Sequence, residues 1–369
     1  MSEKDSVYVT CPSLPSFKEY SQEIRKIWET KIMTNGGILH KELEERLKEH
    51  LHLDNIVLTS HGHCALEIAI QSMGLKGEVI TTPFTFVSTA HAIVRSGLKP
   101  VFCDIKNSDY TIDEDKIEEL INENTCAIVP VHVFGNVCNV DKISEIARKY
   151  SLKVIYDAAH TFGEVYNGKH VVNYGDASII SFHATKIFNT VEGGAICTAD
   201  TELATTMLQL RNFGIQDAEH INYIGCNAKM SEFHAAMGIC NLRYYEEGIH
   251  KRKKIVGKYV EELSEIKGIT IPTYKDNTIY NYAYFPILVE KQNFGYSRDD
   301  VYVWLANKKI YSRKYFYPLI NSLECYGGDN SKQTPNALNI ANNILCLPLH
   351  EDMDIETVEY ITEIIRRKI

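Results

Sequence analysis

The 369-residue sequence has no CxxC pair, no cysteine–histidine ladder and no HExxH, so its ten cysteines and fourteen histidines do not spell a metal centre. The short cluster His61-Gly62-His63-Cys64 has no second ligand group near it in sequence and reads as a loop. The scattered cysteines read as reduced, buried small hydrophobes. No apolar run nears the roughly 18 residues of a membrane span, and Met1-Ser-Glu-Lys-Asp lacks the basic-then-apolar order of a secretory signal. The expectation is a cytoplasmic chain. A surplus of basic residues is also missing: the net charge of −9 disfavours nucleic acid or an anionic membrane as partner and favours a small molecule. No GxGxxG stands at a strand–helix junction, which argues against a nicotinamide-dinucleotide enzyme. Gly163 to Lys169 does match GxxxxGK, but His170 follows where a phosphate loop needs Ser or Thr, and no helix comes next. Asn167-Gly168 at its centre predicts a β-hairpin with a type I′ turn instead.

What remains is an ordinary globular composition, 44% hydrophobic and 24% charged, long enough for one large and one smaller domain. Helical spacing of Leu43, Leu47 and Leu51 leads into the strand 55–59, then a helix over 65–73. The alternation continues with strand 79–82, helix 88–94, strand 100–104, helix 113–121, strand 127–132, helix 140–150 and strands 153–156 and 177–182. Such alternation predicts an α/β layer with a mostly parallel sheet. One long helix is expected from Ser231 to about Ser264, and beyond it strands near 269, 282–289 and 310 with helices 299–307 and 355–367 predict a smaller α+β domain. The expected boundary lies between 1–245, an N-terminal segment with the large domain, and 246–369. Ligands of open α/β sheets gather at the carboxyl ends of strands; Asp104, His132, Asp157 and Ser181 fall at or near such ends.

Lys186 lies just past the apolar strand Ser178-Ile-Ile-Ser-Phe and before the turn Glu192-Gly-Gly-Ala. Burial lowers the pKa of an amine, and a deprotonated lysine captures carbonyls. About thirty residues upstream, the strand Val154-Ile-Tyr ends in Asp157, an acid able to keep a ring nitrogen protonated; taken alone, Asp157 reads equally well as a helix cap. Together the two suggest pyridoxal phosphate. Its phosphate needs backbone N–H groups at a helix start, which Ser60-His-Gly62-His63-Cys64 supplies, and a hydroxyl, which Ser181 supplies. An aromatic for the ring face is available in Pro83-Phe-Thr-Phe86, although either phenylalanine also suits a core.

The combination of Thr82-Pro-Phe-Thr-Phe-Val-Ser-Thr-Ala, Pro130-Val-His-Val-Phe-Gly135, Tyr156-Asp-Ala-Ala-His-Thr-Phe-Gly163, Ser181-Phe-His-Ala-Thr-Lys186, Glu192-Gly-Gly-Ala195 and Asn227-Ala-Lys-Met-Ser-Glu-Phe-His-Ala-Ala-Met-Gly238 resembles the DegT/DnrJ/StrS sugar aminotransferases over nearly the whole chain. The resemblance implies a fold-type I, pyridoxal-phosphate-dependent homodimer with active sites at the subunit interface. By motif position it makes Lys186 the cofactor-bonding and proton-shuttling lysine and Asp157 the partner of the pyridine nitrogen. His160 becomes a neighbour of the ring hydroxyl, where many members have Gln, and Phe86 the stacking aromatic. Ser181 and the amides around Gly62, His63 and Cys64 would hold the phosphate, with Asn227 reaching it from the other subunit. One departure stands out: the family usually has Gly-Thr or Gly-Ser where this chain has Gly62-His63.

Glutamate is the expected amino donor and a nucleotide-linked keto sugar the acceptor. The stretch Trp28 to Gly37, His160 and Tyr315-Phe-Tyr-Pro-Leu look most like members acting at C4 of dTDP-4-keto-6-deoxyglucose, which would yield dTDP-4-amino-4,6-dideoxyglucose, a building block of bacterial surface polysaccharides. Arg313, Tyr315 and Tyr317 are candidates for the sugar or diphosphate pocket. A C3 aminotransferase on the same scaffold remains open. A dehydratase of the family would carry histidine in place of Lys186, and a binding or regulatory protein on this fold would have lost Lys186 or Asp157.

Overall fold

Short apolar segments rich in isoleucine and valine form the central layer, because β-branched side chains pack well on a sheet covered on both faces. The computed structural model describes residues 6–368. Its main sheet contains Asn55–Thr59 (β1), Glu78–Thr81 (β2), Lys99–Phe102 (β3), Thr125–Val129 (β4), Lys153–Asp157 (β5), Ala177–Ser181 (β6) and Gly194–Thr198 (β7). The spatial order is β1-β7-β6-β5-β4-β2-β3. Strands β6, β5, β4, β2 and β3 pair in parallel, while β7 runs antiparallel to both β6 and β1. The expected mostly parallel sheet is present, with β7 as the strand that the Gly-Gly pair concealed.

Helices Phe17–Thr30 (α1), Ile38–Leu51 (α2), Gly62–Ser72 (α3), Ser88–Arg95 (α4), Val140–Tyr150 (α5), Thr201–Leu210 (α6) and Glu232–Leu242 (α7) precede Tyr245–Leu263 (α8). Leu39, Leu43, Leu47 and Leu51 of α2 are fully buried, as their spacing predicts. The start of α2 has no cap of its own; the buried Glu232 of α7 accepts the Leu39 and His40 N–H groups at 2.8 and 3.1 Å. The single long helix expected from Ser231 is in fact two, α7 and α8, parted at Arg243 and Tyr244. The break lets Tyr245 turn inward, where its hydroxyl donates to the Phe162 carbonyl at 2.8 Å. The expected helix 113–121 shrinks to a 3-10 turn and the single α-turn Ile117–Leu120. The hairpin forms as read: Val165–Tyr166 pairs with Lys169–His170, and Asn167 and Gly168 both have positive φ, 49° and 77°.

The C-terminal part builds on the antiparallel sheet Ile269–Thr270, Phe285–Val289 and Ile344–Leu347, with Arg298–Asn307 (α9) and Ile355–Arg367 (α10). Tyr259, Phe285, Leu305 and Ile361 are among its core residues. A further cluster joins the two parts, with Phe84, Val131 and Phe134 from the loops after the main strands meeting Phe316, Ala337 and Cys346. The strand Val7–Tyr8 lies on this side, paired in parallel with Ile310–Tyr311.

Asp104 fastens the same seam. Its buried carboxylate accepts the N–H groups of Asn336 and Ala337 at 3.2 and 2.9 Å and pairs with Lys116 at 3.1 Å. It is a helix-capping acid, apart from the cluster of strand-end side chains that the sequence suggested. His132 is likewise core: it stacks on Tyr156, its Nδ1 accepts the Cys138 N–H, and burial pushes it down to about 3. Replacing Asp104 by Ala strands buried donors at about 1–3 kcal/mol each, so Asp104→Ala should lower the urea midpoint markedly with little change in slope.

Candidate active site

Two features bring the site together at one end of the sheet. The parallel strands β5 and β6 finish near one another, Asp157 lying opposite Ile179, two residues before β6 ends at Ser181. Next to them, Gly194 opens β7 directly opposite both Ser181 and Thr59. A Cβ on Gly194 would fall 2.6 Å from the Gly62 nitrogen, and one on Gly62 would fall 2.9 Å from the Ser181 Cβ. Two glycines therefore let the first turn of α3 sit directly on the end of the sheet. No side chain caps that turn, and the first N–H to bond back into the helix is that of Ala65, to the His61 carbonyl. An uncapped helix start beside the Ser181 hydroxyl offers donors for an anion.

Lys186 lies in the loop after β6. Its Nζ is 3.0 Å from the Tyr284 hydroxyl and 5.6 Å from the centre of that ring. Burial lowers the amine to about 8, against the attraction of Asp157 and Tyr315 for its charge. Asp157, 6% exposed, accepts the Thr89 hydroxyl at 2.7 Å and the Ala159 N–H at 3.2 Å. Burial pushes its carboxyl up from the ordinary value, with those two bonds and Lys186 pulling the other way.

His160 is buried three residues beyond. Burial, assisted by Lys186, holds its imidazole well below the usual range, so the ring is neutral. Its Nδ1 accepts the Phe134 N–H at 3.0 Å, which puts the remaining proton on Nε2. A histidine in this state donates through Nε2 as a glutamine amide would. The carbonyl of His160 accepts from Asn281 at 2.8 Å, and its ring lies parallel to Phe316.

The structure thus gathers Lys186, His160 and Ser181 with Ala159 and Tyr284 around one narrow cleft, and Lys186 feels the charge of Asp157. Phe86, 60% exposed, lines an adjoining cavity of about 430 Å³ with Arg313, Tyr315 and Tyr317. Tyr315, of this cavity, meets Tyr284, of the cleft, edge-on at 6.0 Å. The side chain of His63 turns elsewhere, its Nδ1 2.8 Å from the Ser88 hydroxyl and its Nε2 3.4 Å from Glu67. Only its backbone N–H belongs to the helix start. The Cys64 thiol faces Ser60. Asn227 stands apart, exposed, with its side-chain oxygen accepting from Lys229 at 3.0 Å.

Sequence reasoning missed Thr89 and Tyr284. Thr89 stands in the first turn of α4, just past the Phe86 motif, and its hydroxyl was readable in principle as part of that motif. Tyr284 is 98 residues from Lys186 and carries no local signal of that contact. The donor set suits an aldehyde carrying a phosphate: an enclosed amine of lowered pKa, a buried acid and open amides each meet one of its needs. Gly62→Ala would overpack the contact with Ser181 and should cost about 1–3 kcal/mol, seen as a lower midpoint in thermal or urea unfolding.

Comparison with known proteins adds an independent line. The sequence profile of the DegT/DnrJ/EryC1/StrS aminotransferase family matches residues 16–366. A dTDP-4-amino-4,6-dideoxy-D-glucose transaminase of Shigella dysenteriae is 44% identical over 361 residues, 98% of either chain. One of Escherichia coli with the same name is 43% identical over 370 residues, 99% of either chain. Among solved structures, that of DesI in the presence of its TDP-sugar product is 30% identical with a TM-score of 0.95, covering 99% of this chain and 93% of that one.

Proposed function

Because the chain belongs to the DegT/DnrJ/EryC1/StrS aminotransferase family, we propose that it moves the amino group of L-glutamate to C4 of dTDP-4-keto-6-deoxy-D-glucose, giving dTDP-4-amino-4,6-dideoxy-D-glucose. The observation that carries this reading is the 44% identity, over nearly the full length of both chains, to a transaminase named for that product. The enzyme is a sugar aminotransferase whose cofactor is pyridoxal phosphate. When bound, that cofactor supplies an electron sink for the charge left at carbon as a proton departs.

The chain's own residues have separate tasks in this reading. Lys186 bonds the cofactor and, once its amine is free, takes a proton at one carbon and returns it at another. Its lowered pKa leaves a useful fraction neutral near pH 7. Asp157 would hold the cofactor's ring nitrogen in its protonated form. His160 would donate from Nε2 to the ring hydroxyl. Phe86 would cover one face of the ring, and Ser181 with the amides of Gly62, His63 and Cys64 would hold the phosphate. Arg313, Tyr315 and Tyr317 form the wall for the nucleotide sugar, with Arg313 suited to the diphosphate.

Asn227 serves a neighbouring copy of the chain. Its loop carries Phe213, Ile221, Tyr223 and Ile224, all exposed, the last almost fully. Trp28, Ile32 and Met33 add further exposed apolar surface, and surface of this kind supports a homodimer. Sedimentation equilibrium should accordingly give about twice the 42.0 kDa of one chain.

Incubation with glutamate and a panel of nucleotide keto sugars, followed by NMR of the product, tests the reaction. Amination at C4 of the dTDP sugar is expected, and amination at C3 would reassign the substrate. Lys186→Ala should abolish transfer; turnover retained by that variant would remove the central assignment.

A further inference from the structure

We propose that Tyr284 is a positioning residue for the proton transfer, its hydroxyl holding the Lys186 amine in one place whether or not that amine carries its extra proton. The inference rests on the reading of Lys186 as the proton carrier. It begins from the 3.0 Å contact between Lys186 Nζ and Tyr284 Oη.

A phenol both donates and accepts. Toward a neutral amine, the O–H of Tyr284 donates to the nitrogen lone pair. Toward an ammonium, the same oxygen accepts an N–H. The contact therefore survives each change of protonation without either side chain moving, and Tyr284 keeps its own proton throughout. Lysine gains one proton and later loses it, so the enzyme ends the turnover as it began. A carboxylate in the same place would bind the ammonium tightly and oppose its deprotonation. Burial pushes the Tyr284 phenol up from its usual value, which keeps it in the protonated form that the exchange requires.

The anchor itself is fixed. The Tyr284 ring packs against His160 at 4.7 Å, Phe134 at 5.7 Å and Tyr315 at 6.0 Å. Just before it, Asn281 accepts the Ala283 N–H and donates to the carbonyls of His160 and Phe162. The segment that carries the phenol is thus tied to the turn that carries His160. Titratable groups acting on the amine are Asp157 and Tyr315, beside Tyr284 itself and the neutral His160. Because Tyr315 also lines the cavity of Arg313 and Tyr317, the tyrosine pair holds the free amine next to the place proposed for the sugar.

Tyr284→Phe keeps the ring and removes one oxygen. In the holoenzyme, kcat should fall about 10- to 100-fold, the range expected when a proton-transferring group loses its alignment, with KM within about twofold. A second readout needs no turnover: the rate at which the apoenzyme captures pyridoxal phosphate, followed by absorbance across pH. Capture requires the neutral amine, so the rate should rise with pH through a midpoint near 8. Charge-assisted hydrogen bonds are the stronger kind, so losing the phenol penalises the ammonium more and should move that midpoint to lower pH. Both changes are required. Wild-type kcat, an unmoved midpoint, or a loss confined to KM each overturns the role of Tyr284. Turnover by Lys186→Ala would instead overturn the reading beneath it.

Discussion

The close approach of α3 to the end of the main sheet is the constraint on which the remaining site depends. Strand β7, inserted antiparallel between β1 and β6, brings Gly194 opposite Thr59 and Ser181 together. With no Cβ at Gly62 or Gly194, the helix start descends to contact distance of Ser181. The open amides of the helix start and the Ser181 hydroxyl then share one small volume, and the loop after β6 brings Lys186 to where it feels the charge of the acid on β5. A side chain at either glycine would meet backbone or Ser181 below 3 Å, so the helix start would have to lift away from the sheet end.

Around that contact, burial decides charge. The enclosed groups are tuned in opposite directions by the same desolvation: the Lys186 amine falls, the Asp157 carboxyl rises and the His160 imidazole is kept neutral. Specific bonds then adjust each one, Thr89 and Ala159 for the acid and Phe134 for the imidazole tautomer. The chain's overall charge of −9 contributes little to this, since surface carboxylates are screened by water and several stand in short ion pairs such as Glu118–Lys149.

The large α/β layer was legible because its signals are local. Alternating apolar runs and the Asn167-Gly168 turn act over a few residues, and the structure reproduces them. Strand β7 was not, because Gly193-Gly194 looks like a turn until two neighbouring strands are there to pair with it. The break between α7 and α8 likewise answers a distant contact, Tyr245 with Phe162, that no helical periodicity encodes. In the site, motifs identified Lys186, Asp157, His160 and Ser181, which converge. Tyr284 escaped because the apolar run it opens reads as ordinary core, and the imidazole of His63 faces Ser88, which leaves at the helix start only the backbone amide that the resemblance had named. Asp104 and His132 illustrate the converse: strand-end position alone predicted convergence, and packing assigned them elsewhere.

The pairing of Val7–Tyr8 with Ile310–Tyr311 closes a loop of about three hundred residues. A polypeptide leaves the ribosome amino end first, so this strand is made about three hundred residues ahead of its partner. The residues that follow it are held by more than the strand: Val9 accepts the Leu349 N–H, and the Ser13 carbonyl accepts from Asn189, three residues past Lys186. The pairing of this strand therefore waits on the C-terminal part, while the residues just after it touch the active-site loop. One short segment ties the far end of the polypeptide to the loop that carries Lys186.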